Sequence, residues 1–293
     1  MSPTDVSLTA AGFRFGVRVY RADVQGGPLL LWAHGGAFMF GDPDMPEAHW
    51  VATELSRRGV AVASLDYTLA PLDRLASLPA PQDGGEHDLP PADAAPDRPR
   101  ARFPVASLQV VAAFDWVRRN AARLGADPAL VSVGGASAGG NLAAGAAARL
   151  RDRGRARPAG LVLAYPVLHH TLPPPDDDLR PLVGALPELM RFEPTAMRAM
   201  TSSYADDVHD AYAFPGGHDP SGLPATLVVT SDVDPLRMSG QAFAADLAAA
   251  GVDVSLVRER GTRHGHLNEP DTPAALRSVG RIATWLTSWT TSP

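Results

Sequence analysis

Apolar residues fall into two rhythms along this chain. From Gly12 to Tyr20 they alternate with polar ones (Phe13, Phe15, Val17, Val19), the period of a strand with one covered face. Leu29–Ala33 is instead a short continuous apolar run, as in strands covered on both faces of a parallel sheet, and Val60–Leu65, Val131–Val133, Leu161–Ala164 and Ala225–Thr230 read as further strands. Val252–Arg258 alternates again. Between these runs the period lengthens. Helices are predicted around Glu47–Gly59, through Val110, Ala113, Phe114, Val117, Ala121 and Leu124 with Gly125 as cap, over Leu142–Leu150, over Phe243–Ala250 with Gly251 as cap, and from about Thr272 to Trp289. Strands alternating with helices predict an α/β fold.

Two stretches break the alternation. From about residue 72 to 102 the chain turns to Pro, Asp, Gly and Arg with little periodicity, a composition too poor in apolar surface to order itself. It leaves from the carboxyl end of a strand, so it is either an insertion over the ligand-binding face or an excursion without function. A second stretch, about 173–215, begins polar and becomes weakly helical (Leu182, Leu186, Leu189, Met190, Phe192, Met197, Met200), and is expected to form a small helical cap.

Composition narrows the chemistry. With 293 residues the chain is expected to be one α/β domain over 1–293 carrying both insertions. A net charge of −6 with scattered Arg and acidic residues gives no nucleic-acid footprint and no basic membrane patch. No apolar run approaches the length needed to span a bilayer, and a cytoplasmic protein is expected. The sequence has no cysteine, which excludes disulfides, thiolate catalysis and Cys-ligated metals, and no lysine, which excludes Ser–Lys dyads, Schiff bases and a phosphate-loop lysine. Histidine spacings that hold a metal are missing as well, so neither metal nor cofactor is expected.

The remaining chemistry centres on Gly135-Ala136-Ser137-Ala138-Gly139, a G-x-S-x-G pattern between a buried strand and a helix. A serine at such a turn takes strained backbone angles that only small neighbours tolerate, and the following helix aims its free N–H groups at negative charge forming beside the hydroxyl. Upstream, His34-Gly35-Gly36-Ala37-Phe38 follows a buried strand, where paired glycines let backbone N–H groups turn toward a ligand. Downstream, Asp232 and Asp234 share the loop after one strand, and His264 follows the next. Ser, then acid, then His is the chain order of a nucleophilic triad on the α/β-hydrolase fold, with the acid open between the two aspartates.

These motifs resemble those of the hormone-sensitive-lipase-like esterases and their bacterial carboxylesterase relatives, from Val17 onward. The resemblance rests on His34–Phe38, Asp66–Pro71, Gly134–Leu142, Tyr165–Leu168, Asp234–Arg237 and His264-Gly265. It implies an α/β-hydrolase fold with a mostly parallel eight-stranded sheet flanked by helices. It further implies Ser137, Asp234 and His264 as catalytic residues, and Gly35, Gly36 and Ala138 as oxyanion donors. Ala37, Phe38 and His266 become candidate substrate contacts. Four departures stand out: Ala37 for a third glycine, Ala136 for an acid or threonine before the nucleophile, Leu72 for a glutamate, and a chain that is expected to lack the N-terminal cap helices.

The implied function is hydrolysis of small carboxylic esters through an acyl-enzyme, with a small-molecule ester as partner and a homodimer left open. The alternatives are a tailoring hydrolase, lactonase, amidase or acyl-eliminating enzyme on the same fold. A non-catalytic ligand-binding relative is the third reading.

Overall fold

In the computed structural model, residues 2–75 and 98–291 are described; most of the Pro-rich 72–102 insertion lies outside them. Eight strands form one sheet: β1 (Thr4–Ala10), β2 (Phe13–Tyr20), β3 (Gly27–Ala33), β4 (Ala61–Asp66), β5 (Ala126–Ala136), β6 (Leu161–Ala164), β7 (Thr226–Val233) and β8 (Val254–Arg263). Their spatial order is β1-β2-β4-β3-β5-β6-β7-β8. The pairings β1–β2 and β2–β4 are antiparallel and the others parallel.

Strand β1 was not foreseen from the alternation. Its weakly apolar face (Val6, Leu8, Ala10) is only half covered, because the strand lies at the sheet edge and pairs with β2 alone. Polar residues at every other position then leave too little apolar signal to read.

The period-two alternation of the central strands explains the layers. Leu29, Leu31, Ala33, Val131 and Val133 point to one side, where α2 (Val105–Asn120), α3 (Ala138–Asp152) and α6 (Arg237–Ala249) cover them. Leu30, Trp32, Val162 and Val229 point to the other, under α1 (Pro46–Arg57) and α7 (Pro273–Thr287). Two further helices, α4 (Leu179–Gly184) and α5 (Pro194–Tyr204), lie in the stretch expected to form a cap.

Helix α3 is built of small residues so that backbone can approach backbone. A Cβ at Gly145 would stand 2.1 Å from the Tyr212 carbonyl oxygen, so the chain after α5 rests directly on this helix. This stretch is held there by rings as well: Tyr204 stacks on Phe38 at 4.0 Å, and Phe103 and Phe214 meet Tyr204 edge-on.

Chain order reverses around β3, since β4 lies on one side of it and β5 on the other. The carboxyl ends of β3 and β5 therefore flank a crevice that no crossover connection covers, the place where open α/β sheets bind ligands.

Candidate active site

Ser137 sits in that crevice, between β5 and α3, with φ 52° and ψ −115°. This strained turn fits only because its neighbours are small: a Cβ at Gly135 would lie 2.4 Å from the Gly139 carbonyl, and one at Gly139 would lie 2.0 Å from the Ala33 oxygen. The Ser137 N–H donates to Ala164 O at 2.8 Å, tying the turn to the end of β6.

The structure brings Ser137, His264 and Asp234 together. Ser137 Oγ is 3.0 Å from His264 Nε2, and His264 Nδ1 is 2.8 Å from Asp234 Oδ2. Asp234 is fully buried, and its other oxygen accepts the Leu236 N–H at 2.8 Å. Asp232 points elsewhere: it accepts the Gly261 N–H at 2.9 Å and stands 3.4 Å from Arg258. Burial works against a charged imidazole at His264, but the charge and hydrogen bond of Asp234, with the charge of Glu47, outweigh it and raise its pKa above the ordinary histidine value.

Three residues singled out in the sequence take other roles. Gly35 does not turn its N–H toward the crevice; it donates to Glu47 Oε1 at 2.5 Å. The N–H groups of Gly36, Ala37 and Ala138 meet no acceptor among the described residues. Gly36 holds φ 102° and a Cβ there would stand 2.2 Å from Phe40 O, so the position requires glycine, while Ala37 takes a left-handed φ of 53°. Phe38 is not a substrate contact, because its ring is buried under Tyr204 and Phe214. His266 is not one either. It is 2 % exposed, and its ring nitrogens lie 2.9 Å from Ser231 Oγ and 2.8 Å from Ser278 Oγ. Burial, with the neighbouring His264, pushes its pKa down to about 4.

Sequence reasoning missed several neighbours. Phe192, between α4 and α5, sets its ring against His264 with centroids 5.0 Å apart. Tyr165 meets His264 at 5.1 Å and donates its hydroxyl proton to Glu47 at 2.8 Å. Tyr67 steadies the oxyanion-loop candidate by stacking on His34 and donating to His34 O at 3.1 Å. Among the described residues no cluster of His, Asp or Glu is arranged to hold a metal ion, and no helix is long and apolar enough to cross a membrane.

Comparison with known proteins points the same way. Residues 97–268, more than half of the chain, match a family with the alpha/beta hydrolase fold. Carboxylesterase NlhH of Mycobacterium tuberculosis is 31% identical over 279 residues, which cover 90% of this chain and 75% of that protein. An esterase of Pyrobaculum calidifontis superposes with a TM-score of 0.80 at 30% identity, covering 99% of this chain and 86% of its own. A thermostable carboxylesterase cloned from a metagenomic library superposes at 0.79 with 31% identity, covering 100% and 90%. The chain belongs to the hormone-sensitive-lipase-like family of α/β-hydrolase carboxylesterases.

Proposed function

We propose that this protein hydrolyses small carboxylic esters through an acyl-enzyme on Ser137, with His264 as general base and then acid, and Asp234 as the residue that orients and supports the imidazole. The observation that carries this reading is the unbroken chain from Ser137 Oγ through His264 to buried Asp234, at 3.0 and 2.8 Å. Hydroxyl, base and carboxylate stand within hydrogen-bond reach in the order that acyl transfer requires.

In the first half, His264 Nε2 takes the Ser137 proton as Oγ attacks the ester carbonyl carbon. The carbonyl π pair moves to oxygen, and the N–H groups of Gly36, Ala37 and Ala138 receive it. Gly35 is left out because Glu47 holds its N–H. The helix α3, whose first residue is Ala138, adds the positive end of its dipole. The tetrahedral intermediate collapses, the C–O bond to the alcohol breaks, and His264 protonates the departing oxygen. In the second half, water gives a proton to His264 and its oxygen attacks the acyl carbon. The Ser137 C–O bond then breaks and Oγ recovers its proton. Atoms balance as ester plus water giving acid plus alcohol.

The direct test is Ser137→Ala assayed on p-nitrophenyl acetate and butyrate. Turnover is expected to fall by roughly 10⁴- to 10⁶-fold, as when members of other triads are removed. Near-normal turnover in the variant overturns the reading. A fluorophosphonate is expected to add to the wild-type protein at Ser137, seen by intact mass and peptide mapping, and not to the variant.

A further inference from the structure

Glu47 is a carboxylate buried in the first turn of α1, 2 % exposed, with both oxygens used. Oε1 accepts the Gly35 N–H at 2.5 Å, and Oε2 accepts the Tyr165 hydroxyl at 2.8 Å and the Asn268 amide at 3.1 Å. Its own backbone is pinned on both sides: Glu47 N–H donates to Asn268 Oδ1 at 3.2 Å and Trp32 Nε1 donates to Glu47 O at 2.8 Å. A carboxylate taken out of water is costly unless its lone pairs are met, and three donors from three different loops meet these.

Those loops are the ones that carry the chemistry. Gly35 precedes the free N–H groups of Gly36 and Ala37. Tyr165 follows β6, takes a left-handed φ of 36°, and packs its ring 5.1 Å from both His264 and His266. Asn268 lies four positions beyond His264, on the same loop. The fit is close: a Cβ at Gly35 would stand 2.4 Å from Glu47 Oε1 and 3.1 Å from Ser137 Cβ, so the Gly35 peptide is held between carboxylate and nucleophile.

We infer that Glu47 is a positioning residue for ester hydrolysis, clamping the Gly35 peptide so that the next two N–H groups face the forming oxyanion, and registering that loop against the His264 loop through Tyr165 and Asn268. The inference rests on the Ser137 acyl-enzyme reading. Glu47 touches no reacting atom. Its charge works in two directions, favouring the imidazolium of His264 and opposing negative charge on the carbonyl oxygen, so its benefit comes through geometry.

The test is Glu47→Gln, which keeps the size but turns one acceptor into a donor that cannot serve Gly35, Tyr165 and Asn268 together. With p-nitrophenyl acetate, kcat is expected to fall about 100-fold, the cost of a misplaced reacting geometry, with KM within about threefold. Fluorophosphonate labelling should slow in parallel, and the acid limb of the kcat/KM profile should move to lower pH, with Asp234, His266 and the Tyr165 phenol as the remaining titratable groups facing His264. Tyr165→Phe keeps the ring and loses the donor, and is expected to cost about tenfold in kcat. It serves as the readout should Glu47→Gln fail to fold. A folded Glu47→Gln with kcat within about threefold of wild type, or Tyr165→Phe at wild-type kcat when the first variant does not fold, overturns the inference. Ser137→Ala assayed alongside separates the failures. If it is inactive while Glu47→Gln is unimpaired, only the role of Glu47 falls; if it stays active, the acyl-enzyme reading falls and takes the clamp with it.

Discussion

The ring of Phe192 meets the His264 imidazole edge-on, with centroids 5.0 Å apart and planes at 85°. A side chain from the stretch between β6 and β7 thus forms one wall beside the candidate base. Such aromatic pairs contribute about 0.5–1.5 kcal/mol beyond buried area. Phe192→Ala is expected to lower kcat on acetyl esters by about two- to tenfold through a looser imidazole. The same change opens the cleft, so kcat/KM for hexanoyl and octanoyl esters should rise relative to acetyl. A chain-length series of p-nitrophenyl esters checks both, and an unchanged preference would remove Phe192 from the pocket wall.

If Ser137 acts through His264 as proposed, the raised pKa of His264 sets the acid limit of activity. The imidazole must be neutral to accept the Ser137 proton, so kcat/KM should fall as pH drops through a value above the ordinary 6.5. Stability runs the other way. The folded state binds this proton more tightly than the unfolded chain, so the contribution is full below 6.5 and is lost as pH rises through the folded value. The kcat/KM profile from pH 5 to 9 checks the first statement, and a limb below the ordinary histidine value would contradict it.

His266 imposes the opposite dependence. Its folded value of about 4 lies below the ordinary 6.5, so between them the unfolded chain takes up a proton that the fold refuses. Stability should therefore be lost as pH falls through this window, by on the order of 3 kcal/mol. Thermal melts of wild type and His266→Asn at pH 7 and pH 4.5 isolate the effect. The variant is expected to lose less between the two.

The two aspartates of the β7 loop should separate cleanly. Asp234→Asn leaves His264 without its supporting charge and should lower kcat by roughly 10⁴-fold. Asp232→Asn alters a loop contact to Gly261 and should stay within about tenfold of wild type. Side-by-side kinetics decide, and equal losses would reopen the choice of acid.

Ala37 holds a φ that alanine resists. A left-handed conformation costs an L-residue about 1–2 kcal/mol, and glycine restores part of that at the expense of a more flexible unfolded chain. Ala37→Gly is expected to raise stability by about 0.5–1 kcal/mol, read from urea unfolding with an unchanged m-value.

Much of this was legible in the chain. The buried runs and the motif spacing carried the sheet, the elbow and the three residues that meet at its end, because each is a local pattern placed at a strand terminus. What was not legible is non-local or directional. Glu47 reads as an ordinary first-turn acid, and its partner Asn268 is 221 positions away. Paired glycines show that a loop can bend, not which N–H faces inward, so the turning of the Gly35 N–H to Glu47 could not be read from the sequence. His266 follows a strand end as a loop residue would, yet the short helical turn at His266–Asn268 rolls it inward toward Ser231 and Ser278. Phe38 was drawn into the interior by cap residues more than 150 positions later.

The contact between Gly145 and the Tyr212 carbonyl has a consequence for remodelling this enzyme. Because that backbone is seated on the elbow helix with no side chain between them, a larger residue at 145 would lift the exit of the cap away from the body. Substrate scope is better widened at Phe192, whose ring stands beside His264, and the helix that follows Ser137 is better left as the fixed floor from which libraries are built.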